Sequence, residues 1–150
     1  IVTTRKGSEL SSKGRKMFTQ AMKLFTLSKK IKYDIFKDGL DVYASIVKKY
    51  DREKIKELYK ARDFAIRKGC NSAMVLICNQ NGSIKIPYVR KWNSNILHGK
   101  LEVLPNQLVI LASSKARKIT EKGILAILEY LNEEIAELFK KIAGVSVIKA

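Results

Sequence analysis

One long apolar stripe near the end of the chain constrains the fold more than any other feature. Residues 117–144 read RKITEKGILAILEYLNEEIAELFKKIAG. Six apolar side chains recur there at alternating steps of four and three, which places them along one side of an α-helix. They are Ile124, Leu128, Leu131, Ile135, Leu138 and Ile142. This seam predicts a helix that pairs with a copy of itself, the alternative being that the helix packs on its own domain.

A strong positive charge limits the partners that the chain can have. Its 150 residues include 30 Lys and Arg against 14 Asp and Glu, a formal net charge of +16. Such a surface attracts polyanions, nucleic acid first and acidic membranes or acidic proteins next. Because Lys-rich proteins of hot environments usually balance Lys with Glu, the imbalance favours nucleic acid. The positive charge is densest around the first predicted helix, SSKGRKMFTQAMKLFTLSKK, which contains Lys13, Arg15 and Lys16.

The chain lacks the residue sets that common catalytic and metal sites require. Cys70 and Cys78 are separated by seven residues, which is not a zinc spacing, and two cysteines do not make a disulfide framework. We expect two buried thiols in a reducing cytoplasm. The single histidine, His98, supports no catalytic triad. We therefore expect no enzyme, no metal and no cofactor. Nor does any apolar run approach the roughly 20 residues of a membrane helix.

Periodicity predicts a mainly helical first half and strands near the C-terminus. Apolar residues at steps of four and three from Phe36 to Tyr50 predict an amphipathic helix. Further helical spacing follows Asp51 and ends at Gly69. The stretch CNSAMVLICNQNGSIKIPYVRKWNSNILHG fits a hairpin or two short helices, and Pro87 favours the helices because proline is accepted in a first helical turn. KLEVLP, QLVILA and ARKIT then read as strands.

The order of elements in residues 53–143 resembles a winged helix-turn-helix, the DNA-binding module of MarR- and PadR-type regulators and of small archaeal winged-helix chromatin proteins. YVRKWNSNILHGKLEV resembles a recognition helix that runs into the first wing strand, and ARKITEKG resembles the last wing strand entering the C-terminal helix. The stretch LPNQLVILASSKA is longer and more apolar than many wings. The resemblance implies an α+β, mainly α fold with three parts: a basic helical segment (1–50), a winged-helix domain (51–123) and a dimerisation helix (124–150).

The resemblance implies a DNA-contacting face built around one helix in the major groove. Arg90 can pair with guanine, and Asn93 and Asn95 can pair with adenine, whereas Lys91 suits a phosphate. The expected contact residues are Tyr88, Arg90, Lys91, Asn93 and Asn95 on the helix, Lys115, Arg117 and Lys118 on the wing, and Lys13, Arg15 and Lys16 on the N-terminal segment.

Together these patterns predict a dimeric protein that binds double-stranded DNA, either as a transcriptional regulator or as a chromatin-like binder. The alternative is a structural nucleoprotein, viral or archaeal, that coats DNA without sequence preference, and the dense positive charge of residues 5–32 favours it. A third possibility is a metal-dependent nuclease that uses Asp34, Asp38 and Asp41. We expect a cytoplasmic, nucleoid-associated location, or a virion for the coat protein.

Overall fold

An antiparallel sheet with helices on one face forms the centre of the molecule. The computed structural model describes residues 2–4, 7–9, 12–31, 35–78, 84–85 and 103–149. The strands are β1 (Val2–Thr4), β2 (Gly7–Glu9), β3 (Lys29–Ile31), β4 (Val42–Val47), β5 (Ser72–Cys78), β6 (Ile84–Lys85) and β7 (Leu108–Ser113). The helices are α1 (Ser12–Met22), α2 (Leu58–Arg67), α3 (Arg117–Leu131) and α4 (Glu133–Lys149), and a 3-10 helix (Arg52–Glu57) precedes α2.

The sheet is a β-α-β unit split by a later strand. Its strand order is β3-β4-β7-β5-β6, with each neighbouring pair antiparallel, and β1 and β2 form a separate pair. The chain leaves β4, passes through α2 and returns as β5, and β7 is inserted between the two. Ser113, at the end of β7, lies opposite both Val42 and Ser72. The end of β7 and the starts of β4 and β5 therefore meet at one end of the sheet.

Both faces of the central strands are buried. Every residue of β4 and of β7 is buried, which suits near-continuous apolar runs such as LVILAS. Tyr43, Val47 and Ile110 pack with the helices on one face. Val42 and Leu111 belong to a second apolar cluster on the other face, where Ile35, Phe36 and Val103 cover them in part.

The C-terminal apolar seam packs inside the chain itself. Ile124, Leu128, Leu131, Ile135 and Leu138 are all at most 3 % exposed and belong to the core on the helix face of the sheet. The side chain of Ile142 lies outside the described residues. The expected dimerisation helix is therefore corrected to a core helix, which was the alternative. Periodicity alone could not decide this, because a helix that packs on its own sheet buries the same stripe as a helix that packs on a copy.

A buried asparagine divides the seam into two helices. Asn132 has extended backbone angles (φ −146°, ψ 114°) and ends α3. Its Oδ1 accepts a hydrogen bond from the Glu134 backbone N–H at 2.8 Å, which caps α4. Its Nδ2 donates to the Lys49 carbonyl at 2.9 Å, which ties the break to the chain that follows β4.

The winged-helix prediction is wrong. The described residues form a split antiparallel sheet with helices on one face rather than a helix-turn-helix with a wing. The helix predicted from Phe36 to Tyr50 is instead the strand β4, because a strand buried on both faces shows no alternation and its apolar residues can match a helical spacing. Residues 72–78 and 84–85 form a hairpin, and the helix expected from Pro87 onward lies outside the described residues. ARKIT is the N-cap and start of α3, and the described end of KLEVLP, residues 103–105, is not a strand.

The sheet and α3 together join the three parts expected from the sequence. Strand β4 precedes the boundary placed after residue 50, whereas β5 and β7 follow it, and all three are neighbours in one sheet. The boundary after Gly123 falls within α3. Within the described part of the chain, no helix combines the length and apolar character needed to cross a membrane.

Candidate nucleic-acid interface

Part of the expected DNA-contacting set falls in the described structure. Tyr88, Arg90, Lys91, Asn93 and Asn95 lie outside the described residues, as do His98 and the side chain of Lys13. Arg15 and Lys16 are exposed on α1, and Lys115, Arg117 and Lys118 are exposed where β7 leads into α3.

The structure separates these two basic groups. The end of α1 lies beside the residues that follow β4, since the Lys48 backbone N–H and Nζ donate to the carbonyls of Leu24 and Met22, each at 2.7 Å. Lys115 and its neighbours follow the end of β7, which lies opposite the start of β4. The two groups are therefore attached to opposite ends of β4.

The turn between β7 and α3 is fixed by buried hydroxyl groups. Ser114 Oγ donates to the Ala116 carbonyl at 2.6 Å and lies 2.6 Å from Thr120 Oγ1. Both residues are buried, at 5 % and 1 % exposure. This network holds the first turn of α3 in place, while Lys115 and Lys118 stay exposed to solvent.

The positive charges in the first turn of helix α3 are unfavourable with respect to the helix dipole. Its first turn contains Arg117 and Lys118 and no acidic residue, although the N-terminus is the positive end of the helix dipole and favours anions. Glu121 lies one turn later and accepts from Arg117 Nε at 2.8 Å. This hydrogen bond, with the charge of Glu121, raises the pKa of Arg117. The exposed first turn thus remains a positive surface that a bound anion would stabilise.

The turn that follows α2 brings a further lysine to the same place. Gly69 has a φ of +105°, in the region that favours glycine, and ends α2. The next residue, Cys70, is buried, and its Sγ donates to the Ile119 carbonyl at 3.6 Å. Exposed Lys68 therefore lies beside the first turn of α3.

Asp38 ties a loop to the same end of the sheet, on the face away from the helices. It accepts hydrogen bonds from Asn71 Nδ2 at 2.8 Å, Ser113 Oγ at 2.9 Å and the Leu40 backbone N–H at 3.0 Å. Burial raises the pKa of Asp38, but these hydrogen bonds outweigh it and hold the pKa below its usual value. The adjacent Lys37 is exposed. The carboxylate thus has a structural role and brings one more cation to this end.

We call these five exposed cations the basic end: Lys37, Lys68, Lys115, Arg117 and Lys118. Three described carboxylates lie near these cations. Asp38 is hydrogen-bonded to uncharged groups, Asp41 lies 3.4 Å from Lys30, and Glu121 pairs with Arg117. Counting Lys30, six cations stand against three carboxylates among the described residues, so positive charge prevails at this end and attracts anions.

Sequence reasoning missed two members of this cluster and gave one nearby carboxylate the wrong role. Lys37 and Lys68 each lie in a turn that also contains a glycine, but only the insertion of β7 between β4 and β5 brings these turns to one end of the sheet. Asp34 lies outside the described residues, Asp41 pairs with Lys30, and Asp38 holds the loop. No three His, Cys, Asp or Glu side chains in the described ranges lie close enough to hold a metal ion. Both cysteines are buried thiols, as expected, and burial raises the pKa of each.

Comparison with known proteins gives a likeness of fold. No family model matches the sequence, and no curated protein matches it. Among solved structures, the chain is similar to the hypothetical protein PH0730 from Pyrococcus horikoshii OT3. The TM-score is 0.70, with 19 % sequence identity, over 90 % of this chain and 74 % of that chain. At this identity the similarity shows a shared fold alone.

Proposed function

We propose that this protein binds double-stranded DNA through the phosphate backbone, without strong sequence preference. The observation that carries this proposal is the basic end, where five exposed cations from three turns and a helix start gather around partnered carboxylates. Lysine side chains and the free backbone N–H groups of a helix N-terminus are typical phosphate ligands. Such binding suits a structural nucleoprotein, in a nucleoid or in a virion.

Contacts of this kind position a protein on DNA but do not read its sequence. Four of the five cations are lysines, which act as point charges and offer no paired donors for a base edge. If each cation neutralises one phosphate, the logarithm of the affinity should fall with the logarithm of salt concentration with a slope of about −4 to −5. Cognate-like and scrambled duplexes should bind within roughly threefold of one another, far below the discrimination of a specific regulator.

The test compares two variants that remove the same charge from different surfaces. One replaces Lys68, Lys115 and Lys118 of the basic end by Gln, and the matched variant, called the α1 variant, replaces Arg15 and Lys16 of α1 and Lys23 in the turn directly after it by Gln. Each loses three positive charges, and every replaced side chain is exposed, so both should fold. Fluorescence anisotropy of a labelled duplex, measured at several salt concentrations, gives the affinity and the salt slope of each protein.

We expect the basic-end variant to bind more weakly and its salt slope to become shallower by about two to three. The α1 variant should lose much less affinity. A larger loss in the α1 variant would move the interface to α1, and equal small losses would refute a localised site. Failure of the wild-type protein to bind duplex DNA at low salt would refute the proposal as a whole.

A further inference from the structure

A cleft on the helix face of the molecule lies beside the basic end. Its walls are α3 and the segment 25–28, which runs along the edge of β4. The Thr26 backbone N–H donates to the Ile46 carbonyl at 2.9 Å, and the Ile46 N–H donates back to Thr26 Oγ1 at 2.9 Å. These bonds fix one wall, and the packed α3 fixes the other, so the cleft is preformed.

The cleft is mostly apolar and open at one side. Its lining includes Leu27, Ile124, Leu125 and Leu128. Leu27 is 60 % exposed and Leu125 is 40 % exposed, which leaves two large apolar side chains in water on facing walls. The volume is about 330 Å³, at the small end of the range for ligand pockets. A single small molecule would fill it, whereas a large cofactor would not.

One strongly basic group stands among the cleft's lining residues. Arg117 lines the cleft, and its guanidinium carbon lies 5.4 Å from the centre of the Tyr43 ring, which supports the group from one side. Glu121 accepts a hydrogen bond from Arg117 Nε at 2.8 Å. Among the described contacts this leaves the two terminal NH₂ groups of Arg117 for a second acceptor, in the forked arrangement that suits a carboxylate.

We propose that this cleft binds a small molecule with an apolar body and a single carboxylate, such as a medium-chain fatty acid. The apolar body lies between Leu27 and Leu125, and the carboxylate accepts from the terminal NH₂ groups of Arg117. Among the described lining residues Glu121 is the one carboxylate, whereas Lys115, Arg117 and Lys118 stand at the adjoining start of α3. The surrounding charge therefore favours an anionic head group over a cationic one. Arg117 belongs to both proposed sites, but octanoate binding is measured without DNA, so either proposal can fail alone.

Sodium octanoate is the probe, and 1-octanol is its uncharged match with the same apolar chain. Titration of the full chain with each compound, followed by calorimetry and by backbone amide NMR shifts, measures affinity and location. We expect saturable binding of one octanoate per chain, with the largest shifts at Leu27, Leu125 and Arg117. Octanoate should bind about tenfold or more tightly than octanol, because charge-assisted hydrogen bonds add to the apolar contact.

Two variants and one control test the assignment of the head group. Arg117→Met keeps an unbranched apolar stem but removes the guanidinium and its donors, and it should weaken octanoate binding by about tenfold while leaving octanol binding within about twofold. Leu125→Glu should abolish binding of octanoate. The matched control, Arg62→Met, alters an exposed arginine on α2 away from the cleft and should leave both affinities unchanged.

Three results would overturn the proposal. The first is an absence of saturable octanoate binding to the wild-type protein. The second is equal affinity for octanol and octanoate, which would remove the role of Arg117. The third is a set of NMR shifts centred outside the cleft. The comparison of the two probes on the wild-type chain decides the matter even if a variant fails to fold.

Discussion

Replacing Gly123 by Ala should destabilise the protein, although glycine is a poor helix former. Gly123 lies within α3 and is buried against the turn that follows α2. A Cβ added at this position would overlap Cys70 Sγ and would lie 3.3 Å from Ala65 Cβ. The close approach of α3 to α2 that holds Lys68 beside the first turn of α3 therefore depends on this glycine.

The expected size of the effect follows from two opposed terms. Alanine in place of glycine in a helix interior gains about 1 kcal/mol of helix propensity. Inserting a methyl group into a filled core costs about 1–3 kcal/mol, and the overlap with a buried thiol places Gly123→Ala toward the upper part of that range. The free energy of unfolding should therefore fall by about 1–2 kcal/mol, opposite in sign to the propensity alone.

A double-mutant cycle with Cys70→Ala identifies the cause. Removing the buried sulfur should itself cost about 1 kcal/mol through lost packing. In that background the overlap is gone, so Gly123→Ala should be neutral or stabilising, with a coupling energy of about 1–3 kcal/mol. Urea denaturation of the four proteins, read from midpoints at constant slope, gives these values. If Gly123→Ala stabilises the wild-type protein, or if its effect is unchanged in the Cys70→Ala background, the packing described here is incorrect.

Three further predictions concern other parts of the structure. Asn132→Ala removes the cap of α4 and the donor to the Lys49 carbonyl, so it should lower the free energy of unfolding by about 1–3 kcal/mol in urea titrations; a loss below about 0.5 kcal/mol would argue against both hydrogen bonds. The lowered pKa of Asp38 means that its charged form stabilises the fold above the usual carboxyl pKa and that this contribution is lost as pH falls toward the folded-state pKa. The melting temperature of Asp38→Asn should therefore lie below that of the wild type near pH 6 and approach it below about pH 4; a constant difference would contradict this assignment. Glu121→Gln removes a negative charge beside the basic end and should strengthen duplex binding by roughly threefold at low salt, with the gain fading at high salt, whereas an unchanged affinity would place Arg117 outside the DNA contact.

Several elements could be read from the sequence because their patterns are local. The first half of the helix predicted in residues 11–30, the stop of α2 at Gly69 and the strand in LVILAS are present in the structure, whereas Lys29 and Lys30 belong to β3 instead of that helix. The strand β4 was missed because both of its faces are buried, and its apolar residues then match a helical template as well as a strand. The first turn of α3 was taken for a strand because its Ile and Thr favour strands, whereas Ser114 and Thr120 fix it as a helix start.

The sequence could predict the kind of partner but not the position of the interface on the fold. Net charge indicated a polyanionic partner, and Lys115, Arg117 and Lys118 were among the residues selected from the sequence. Their grouping with Lys37 and Lys68 depends on a non-local event, the insertion of β7 between β4 and β5. The seam from Ile124 to Leu138 shows the same limit, because its spacing is identical whether a helix packs on its own sheet or on another subunit.

Lysine footprinting on the wild-type chain tests the central claim most directly. The protein would be acetylated briefly with and without duplex DNA at low salt, and the modification of each lysine would be measured by mass spectrometry. DNA should protect Lys37, Lys68, Lys115 and Lys118, while Lys16, Lys23 and Lys56, which are also exposed but lie away from the basic end, should react at unchanged rates. Protection of Lys16 and Lys23 in place of Lys115 and Lys118, or the same weak protection of every lysine, would contradict a DNA-binding site at the basic end.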